Sequence, residues 1–187
     1  MKTFSLNDIG RPGEGWGACY DPSARYGITA WSGTALDMLR EERVPAKDRL
    51  WVVLREDVLD ARTLRLFAVW CARRALSRVA NPDPRSLAAV ETAERFANGL
   101  ATDEELSAAW SAAWDACAWA AWAACAWDAW SAAWSAAAYS AARAADRAAD
   151  RAADMAADMA AAGESETERA AQVQHLITMI EKEKEVQ

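Results

Sequence analysis

The chain offers few side chains of the kinds that carry out catalysis or hold metal ions. His175 is the only histidine among 187 residues, so a triad or a histidine metal site has at most one imidazole to use. The four cysteines form no CxxC pair and no zinc-ligand spacing. Two of them, Cys117 and Cys125, lie about 12 Å apart along one helix, too far for a disulfide between them. We expect both to be small core residues and His175 to lie on the surface.

Three carboxylates are close together in the sequence, at Glu56, Asp57 and Asp60. No histidine, lysine or nucleophile with acid–base spacing accompanies them, and Asp60 precedes a run with helical periodicity. We therefore interpret this group as a helix junction with Asp60 as an N-cap. Taken with the scarcity of histidine and cysteine chemistry, the prediction is a protein that is not an enzyme and uses no cofactor and no metal ion.

The most unusual residues are tryptophans in an alanine-rich segment, residues 106–162, which has 30 alanines, seven tryptophans and no glycine or proline. Seven buried indoles represent roughly 1,000–1,700 Å² of surface, so we expect them to be covered by other helices, by a partner or by a second copy. No cations lie beside them, which argues against base stacking and nucleic acid. Asp115, Asp128 and several serines argue against a membrane span. The candidate partner or self-packing surface is Trp110, Trp114, Trp119, Trp122, Trp127, Trp130 and Trp134.

A second candidate surface is acidic and follows the tryptophans along the same segment. It consists of Asp146, Asp150, Asp154 and Asp158. Arginines stand three residues before the first three of these aspartates, which favours a ladder of exposed ion pairs. The functional alternative is an acidic row that imitates the phosphates of a nucleic acid, although the interleaved arginines weaken it.

The alanine-rich segment repeats every four residues, and this period does not match the 3.6 residues of an α-helical turn. A stripe of period four therefore winds around a straight helix by about 40° per turn. An unbroken helix of this length would extend about 85 Å, far beyond a compact domain. We favour long helices packed as a hairpin or in an oligomer. The regularity could also be a relic of repeat expansion.

Local signals around this segment predict an all-α fold. The density of glycine before residue 34 indicates a loop, with a short strand at Tyr26–Trp31. Helix starts are predicted at Asp60, at Asp83-Pro84 and at two capping boxes, Thr102–Glu105 and Ser165–Glu168. The predicted organisation is an irregular Gly/Pro-rich segment (1–33), a small helical domain (34–101), the Ala/Trp-rich helical region (102–162) and an amphipathic terminal helix (163–187).

Apolar residues at helical spacing predict core faces, among them those of the helix that starts at Pro84 and of the terminal helix. Leu87, Val90, Ala93, Phe96 and Ala97 are expected to point inward from the helix that starts at Pro84. In the terminal helix the inward residues are Val173, Leu176, Ile177 and Ile180.

Four aromatic residues lie in the N-terminal loop, Trp16, Tyr20, Tyr26 and Trp31. They either attach the loop to the domain or form a partner-binding loop.

Charge and composition limit the partners. Residues 1–105 carry 15 Lys/Arg and 16 Asp/Glu, whereas residues 106–187 carry six and 12. The acidic C-terminal half disfavours binding to a phosphate backbone. No apolar run follows Lys2, so no signal peptide is expected, and with free thiols this favours the cytoplasm.

Several stretches are similar to a known family. DRLWVVLREDVLDARTLRLFAVWCARRAL (48–76), NPDPRSLAAVETAERFANG (81–99) and ATDEEL (101–106) precede a long Ala/Trp/Tyr/Arg/Asp repeat. Together with WSGTALDML (31–39) and AAQVQHLITMI (170–180), they resemble an alanine-rich helical family of bacterial and phage immunity proteins. This resemblance implies a protein that binds and neutralises a toxin or effector, and it supplies no catalytic residues.

The expected function is therefore non-enzymatic binding of a protein partner, a bacterial toxin or effector. One alternative is a phage-encoded inhibitor of a host defence complex, acting through the acidic row. The other is a self-assembling structural protein whose tryptophans meet in a homo-oligomer.

Overall fold

The computed structural model describes the backbone of residues 2–10, 12–119 and 163–186, and the side chains of residues 2–10, 12–113 and 166–185. Over these residues the predicted all-α class is confirmed, since the one sheet is a pair of two-residue strands. None of the described helices has the length and apolar character needed to cross a membrane. The helices are α1 (Leu6–Ile9), α2 (Pro22–Tyr26), α3 (Ala35–Leu39), α4 (Ala46–Val53), α5 (Ala61–Leu76), α6 (Pro84–Ala97), α7 (Asp103–Trp119) and α8 (Gly163–Val186).

Three predicted helix starts are confirmed by their hydrogen bonds. The Asp60 carboxylate accepts the backbone N–H of Thr63 at 3.0 Å at the start of α5. Asp83 accepts the N–H of Arg85 at 2.8 Å at the start of α6. Before α7, the Thr102 N–H donates to Glu105 at 2.8 Å, and the Glu105 N–H donates to the Thr102 hydroxyl at 3.2 Å. Each bond satisfies a backbone donor that the first helical turn leaves without an intrahelical partner.

The N-terminal segment is more regular than its glycine content suggests. Strands β1 (Phe4–Ser5) and β2 (Ser32–Gly33) pair antiparallel, with Phe4 opposite Gly33. The strand predicted at Tyr26–Trp31 is wrong, because Tyr26 is the last residue of α2, which Asp21-Pro22 starts and Gly27, with φ of 66°, ends, and the strand β2 lies at Ser32–Gly33. The same Asp-Pro signal was recognised at Asp83-Pro84, but the surrounding glycines obscured it here.

One hydrophobic core joins the two ends of the described chain. Leu64 and Phe67 at its centre, on α5, have no exposed surface. The N-terminal segment contributes Phe4, Ile9 and Ala18 to the same cluster. The predicted inward face of the terminal helix is confirmed, since four α8 residues lie in this core: Val173, Leu176, Ile177 and Ile180.

The predicted inward face of α6 is correct except at its start. Val90, Ala93 and Ala97 are buried and Phe96 is partly buried, but Leu87 is 47% exposed. The α7 helix packs on α6 through small residues, with Ala89 and Ala113 fully buried between them. This contact turns the Ala89 side of α6 inward and leaves Leu87 outside.

Helix α8 is held to α5 by an ion cluster. The Glu168 carboxylate, whose side chain is 0% exposed, accepts two hydrogen bonds from Arg74 at 2.8 and 2.7 Å and one from Arg78 at 2.6 Å. The predicted capping role of Glu168 is therefore wrong: α8 begins at Gly163, two residues before Ser165, and the carboxylate bonds to α5 instead. A capping box cannot be distinguished from an interhelical pair until the neighbouring helix is known.

His175 also differs from its predicted position on the surface. Its ring is half-buried and stacks on the indole of Trp70, with centroids 4.1 Å apart and planes 7° apart. The Arg74 guanidinium lies 4.9 Å from the same indole. The α5–α8 contact therefore contains a polar and aromatic layer beside its apolar residues.

Candidate functional site

The main concave feature of the described residues is a cavity of about 630 Å³, which we call the N-terminal cavity. Its walls come from the N-terminal segment, the start of α4 and the first turns of α8. This volume lies within the range of about 300–1,000 Å³ that ligand pockets occupy. The apolar side chains that line it include Leu6, Ile9, Ile28, Trp31, Met38 and Trp51.

Three polar side chains form a hydrogen-bonded chain at the cavity wall. The hydroxyl of Tyr26 donates to the Asp48 carboxylate, and the Tyr20 and Tyr26 hydroxyl oxygens lie 2.8 Å apart. Since Tyr26 has a single proton and donates it to Asp48, Tyr20 is the donor to Tyr26. Helix α2 presents Tyr26, and the first turn of α4 presents Asp48, so the chain of bonds joins the N-terminal segment to the helical body.

The phenols of Tyr20 and Tyr26 are neutral at physiological pH. Burial is the main cause that raises the pKa of Tyr20, and hydrogen bonds with Tyr26 and Asp48 raise it further. Burial also raises the pKa of Tyr26, followed by its hydrogen bond to Asp48. A phenol whose pKa lies above the usual value of about 10 is a poor base and a poor nucleophile at pH 7. These groups are therefore suited to hydrogen bonding of a ligand.

Charged side chains surround the mouth of the cavity. The Arg25 guanidinium lies 4.3 Å from the centroid of the Tyr20 ring, and Lys47 lines the opening from the start of α4. Helix α8 adds Glu166 and Arg169. With Asp48, the lining has three cations and two carboxylates, a positive balance in a chain of net charge −7.

The remaining aromatic residues of the N-terminal segment attach it to the core. The Phe4 ring lies between Trp16 and Trp31, at centroid distances of 5.2 and 5.1 Å. The Arg55 guanidinium lies between the indoles of Trp16 and Trp51, at 5.1 and 4.1 Å. Trp16 and Trp31 therefore pack against the core, as the first interpretation predicted, whereas Tyr20, Tyr26 and Trp31 line an open cavity and the partner-binding interpretation stays a prediction.

Most of the site residues predicted from sequence lie outside the described residues. Trp110 is half-buried on α7, and for Trp114 and Trp119 the helical backbone alone is described. The other predicted residues fall beyond this range: Trp122, Trp127, Trp130 and Trp134, and the acidic row Asp146, Asp150, Asp154 and Asp158. The N-terminal cavity was not predicted from the sequence, and the signal that was available is the pair of tyrosines, Tyr20 and Tyr26, around Asp21-Pro22.

The carboxylates that were interpreted as a helix junction have structural contacts. Asp60 caps α5, as predicted, and Asp57 pairs with Lys2 at 4.0 Å. Of the two cysteines whose side chains are described, Cys71 is buried, and burial raises its pKa, whereas Cys19 is exposed and lines the N-terminal cavity. Within the described ranges, no three His, Cys, Asp or Glu side chains are grouped so that they could hold a metal ion.

Comparison with known proteins yields no match: no protein-family model, no curated protein and no solved structure is significantly similar to this chain.

Proposed function

We propose that this chain is a non-enzymatic cytoplasmic protein that binds and neutralises a bacterial toxin or effector, as an immunity protein does. The observation that carries the proposal is the N-terminal cavity, an open pocket with aromatic walls and neutral phenols. Pockets of this kind receive the few anchor side chains that dominate the energy of a protein–protein interface. The resemblance of residues 31–106 and 170–180 to alanine-rich immunity proteins supports the same function.

The base of the cavity suits recognition because it is built on packed helices. Met38 and Val52 line the cavity and are also part of the hydrophobic core, so the floor moves with the body of the protein. A preorganised pocket loses less conformational entropy on binding than a flexible loop does. The tryptophans of the alanine-rich segment, from Trp110 to Trp134, are proposed as a second part of the partner surface.

The test compares partner capture by two variants of the full chain. Cys19 is exposed and lines the cavity, so Cys19→Phe places a ring at the mouth without disturbing the core. The control is Lys184→Gln, an exposed change on α8 that does not line the cavity. Tagged chains are purified from the source organism, and the bound proteins are identified and quantified by mass spectrometry.

We expect wild type and Lys184→Gln to retain one protein in stoichiometric amounts, and Cys19→Phe to lose at least about nine-tenths of it, which corresponds to a loss of more than about 1.4 kcal/mol of binding free energy. The captured protein should be toxic when expressed alone and harmless when co-expressed with the wild-type chain. Turnover of a substrate by the purified chain, or capture that Cys19→Phe does not reduce, would contradict the proposal.

A further inference from the structure

We propose that the N-terminal cavity takes a large apolar side chain of the protein partner together with an adjacent carboxylate, which Lys47 and Arg25 bind. The inference rests on the proposed function, because it names the chemistry of the partner segment that enters the cavity.

The apolar half of the proposal comes from the shape and lining of the cavity. Its floor is formed by aliphatic and aromatic side chains such as Ile28, Met38 and Trp51. An apolar side chain that leaves water for this floor gains roughly 25 cal/mol per Å² of buried surface. A volume of about 630 Å³ accommodates a side chain as large as phenylalanine together with part of its backbone.

The anionic half of the proposal comes from the hydrogen bonds that already join side chains in the cavity wall. The protons of Tyr20 and Tyr26 are both used in the hydrogen bonds that lead to Asp48, so the Tyr20 oxygen presents lone pairs to a ligand. Two cationic hydrogen-bond donors, Lys47 and Arg25, also line the cavity. Lys47 is exposed and has no ion-pair partner among the side chains that the structure describes.

Arg25 supplies the second cation. Its guanidinium stacks on the face of Tyr20, and a guanidinium has five N–H donors, more than its contacts with Tyr20 and Tyr26 use. The carboxylates at the cavity oppose an anionic ligand less than they would alone, since Asp48 accepts a hydrogen bond from the Tyr26 hydroxyl and Glu166 is exposed to solvent. A peptide carboxylate near Lys47 and Arg25 would also place its amide N–H within the same pocket, where Tyr20 presents an acceptor.

The experiment uses small probes with the full-length chain, so that it does not depend on finding the partner. N-acetyl-phenylalanine, which carries a carboxylate, is compared with the neutral N-acetyl-phenylalanine amide and with the phenethylammonium cation. Binding is measured by isothermal titration calorimetry and by ligand-observed NMR. The variants are Lys47→Gln, Arg25→Gln and Cys19→Phe, with Lys184→Gln as the charge-matched control.

We expect the carboxylate probe to bind with a Kd of about 1 mM and at least about tenfold more tightly than the amide. Lys47→Gln and Arg25→Gln should each reduce the affinity for the carboxylate to that of the amide, Cys19→Phe should abolish binding, and Lys184→Gln should leave it unchanged. Equal binding of the three probes, tighter binding of phenethylammonium, or no binding at all would overturn the inference.

The result of the probe-binding experiment can be distinguished from the result of the partner-capture experiment that tests the proposed function. Carboxylate-selective binding without any captured protein would refute the proposed function and leave the chemistry of the cavity intact. If Cys19→Phe abolishes probe binding but the partner is still captured in full, the cavity serves a free small acid, and the assignment to a partner segment is overturned.

Discussion

At the scale of single residues, His175 shows how the surroundings of a side chain change its chemistry. Its imidazole stacks on Trp70, and Arg74 and Lys182 supply the charges that act on it. Burial is the main cause that lowers its pKa below 6.5, and the positive charges of Lys182 and Arg74 lower it further. The folded protein therefore takes up a proton at this position less readily than the unfolded chain does.

The sign of the resulting pH dependence follows from linkage. Below pH 6.5 the unfolded chain binds a proton at His175 that the folded protein resists, so folding stability falls as the pH falls through this range. Protonation of Glu168 lowers the folding stability only in stronger acid. Burial raises its pKa, but the hydrogen bonds and charges of Arg74 and Arg78 outweigh burial and bring the pKa below the ordinary 4.5.

We predict that His175→Phe flattens the stability profile between pH 7.5 and 5.5. The phenyl ring can retain the stack on Trp70 but does not titrate, and a single proton changes the free energy of unfolding by at most about 1.4 kcal/mol per pH unit. Urea denaturation at several pH values measures the slope. If wild type and variant keep the same slope, His175 is not the group that causes it.

At the scale of elements, the contact between α5 and α8 contains one buried carboxylate. Glu168 is 0% exposed and makes three hydrogen bonds to two arginines of the α5 region. In contrast, Glu181 pairs with Arg40 near the other end of α8 and is 44% exposed. The two residues therefore differ in the number of their arginine partners and in their exposure to water, and exposure determines how strongly an ion pair is screened.

We predict that Glu168→Gln lowers the free energy of unfolding by about 3 kcal/mol, because two guanidinium groups lose their buried counter-charge. Glu181→Gln is the matched control, and for this exposed pair we expect a loss below about 1 kcal/mol. Urea denaturation at pH 7 measures both variants. Equal losses in the two variants would show that the buried cluster is not what holds α8 to α5.

At the scale of the whole molecule, the two ends of the chain share a core. Residues from β1, α5 and α8 belong to one hydrophobic cluster, although the 43 residues from 120 to 162 separate α7 from α8 in the sequence. Leu176 is fully buried in this cluster. Helix α8 also lines the N-terminal cavity through Glu166 and Arg169, so the core and the cavity both depend on it.

We predict that Leu176→Ala weakens α3, α4 and α5 together with α8. Removal of this buried side chain should lower the free energy of unfolding by about 2–5 kcal/mol. Because the four helices share one core, the destabilisation should reach all of them. Hydrogen exchange with mass spectrometry should show reduced protection in all four helices, whereas exposed Gln174→Ala should leave it unchanged. Reduced protection confined to α8 would mean that α8 is an independent unit.

Local sequence determines the fold class, the helix caps and the apolar face of a helix. The all-α class, the caps at Asp60, Asp83 and Thr102, and the apolar face of α8 were predictable, since each depends on residues within one or two helical turns. A cap needs a side chain and a backbone N–H that are neighbours in the chain. The same holds for a helix face, which follows from a period of 3.6 residues.

The roles of other residues depended on partners far away in the sequence. Glu168 had the spacing of a capping box and became the counter-ion of arginines about 90 residues earlier. The N-terminal cavity could not be predicted, because Tyr20, Asp48 and Arg169 meet only when three separate elements pack around one core. Sequence by itself determined the all-α class, the three helix starts at Asp60, Asp83 and Thr102, and the apolar face of α8. Tertiary structure decided which polar groups are buried, what they bind and where a cavity opens, because those properties depend on desolvation and contacts between distant residues.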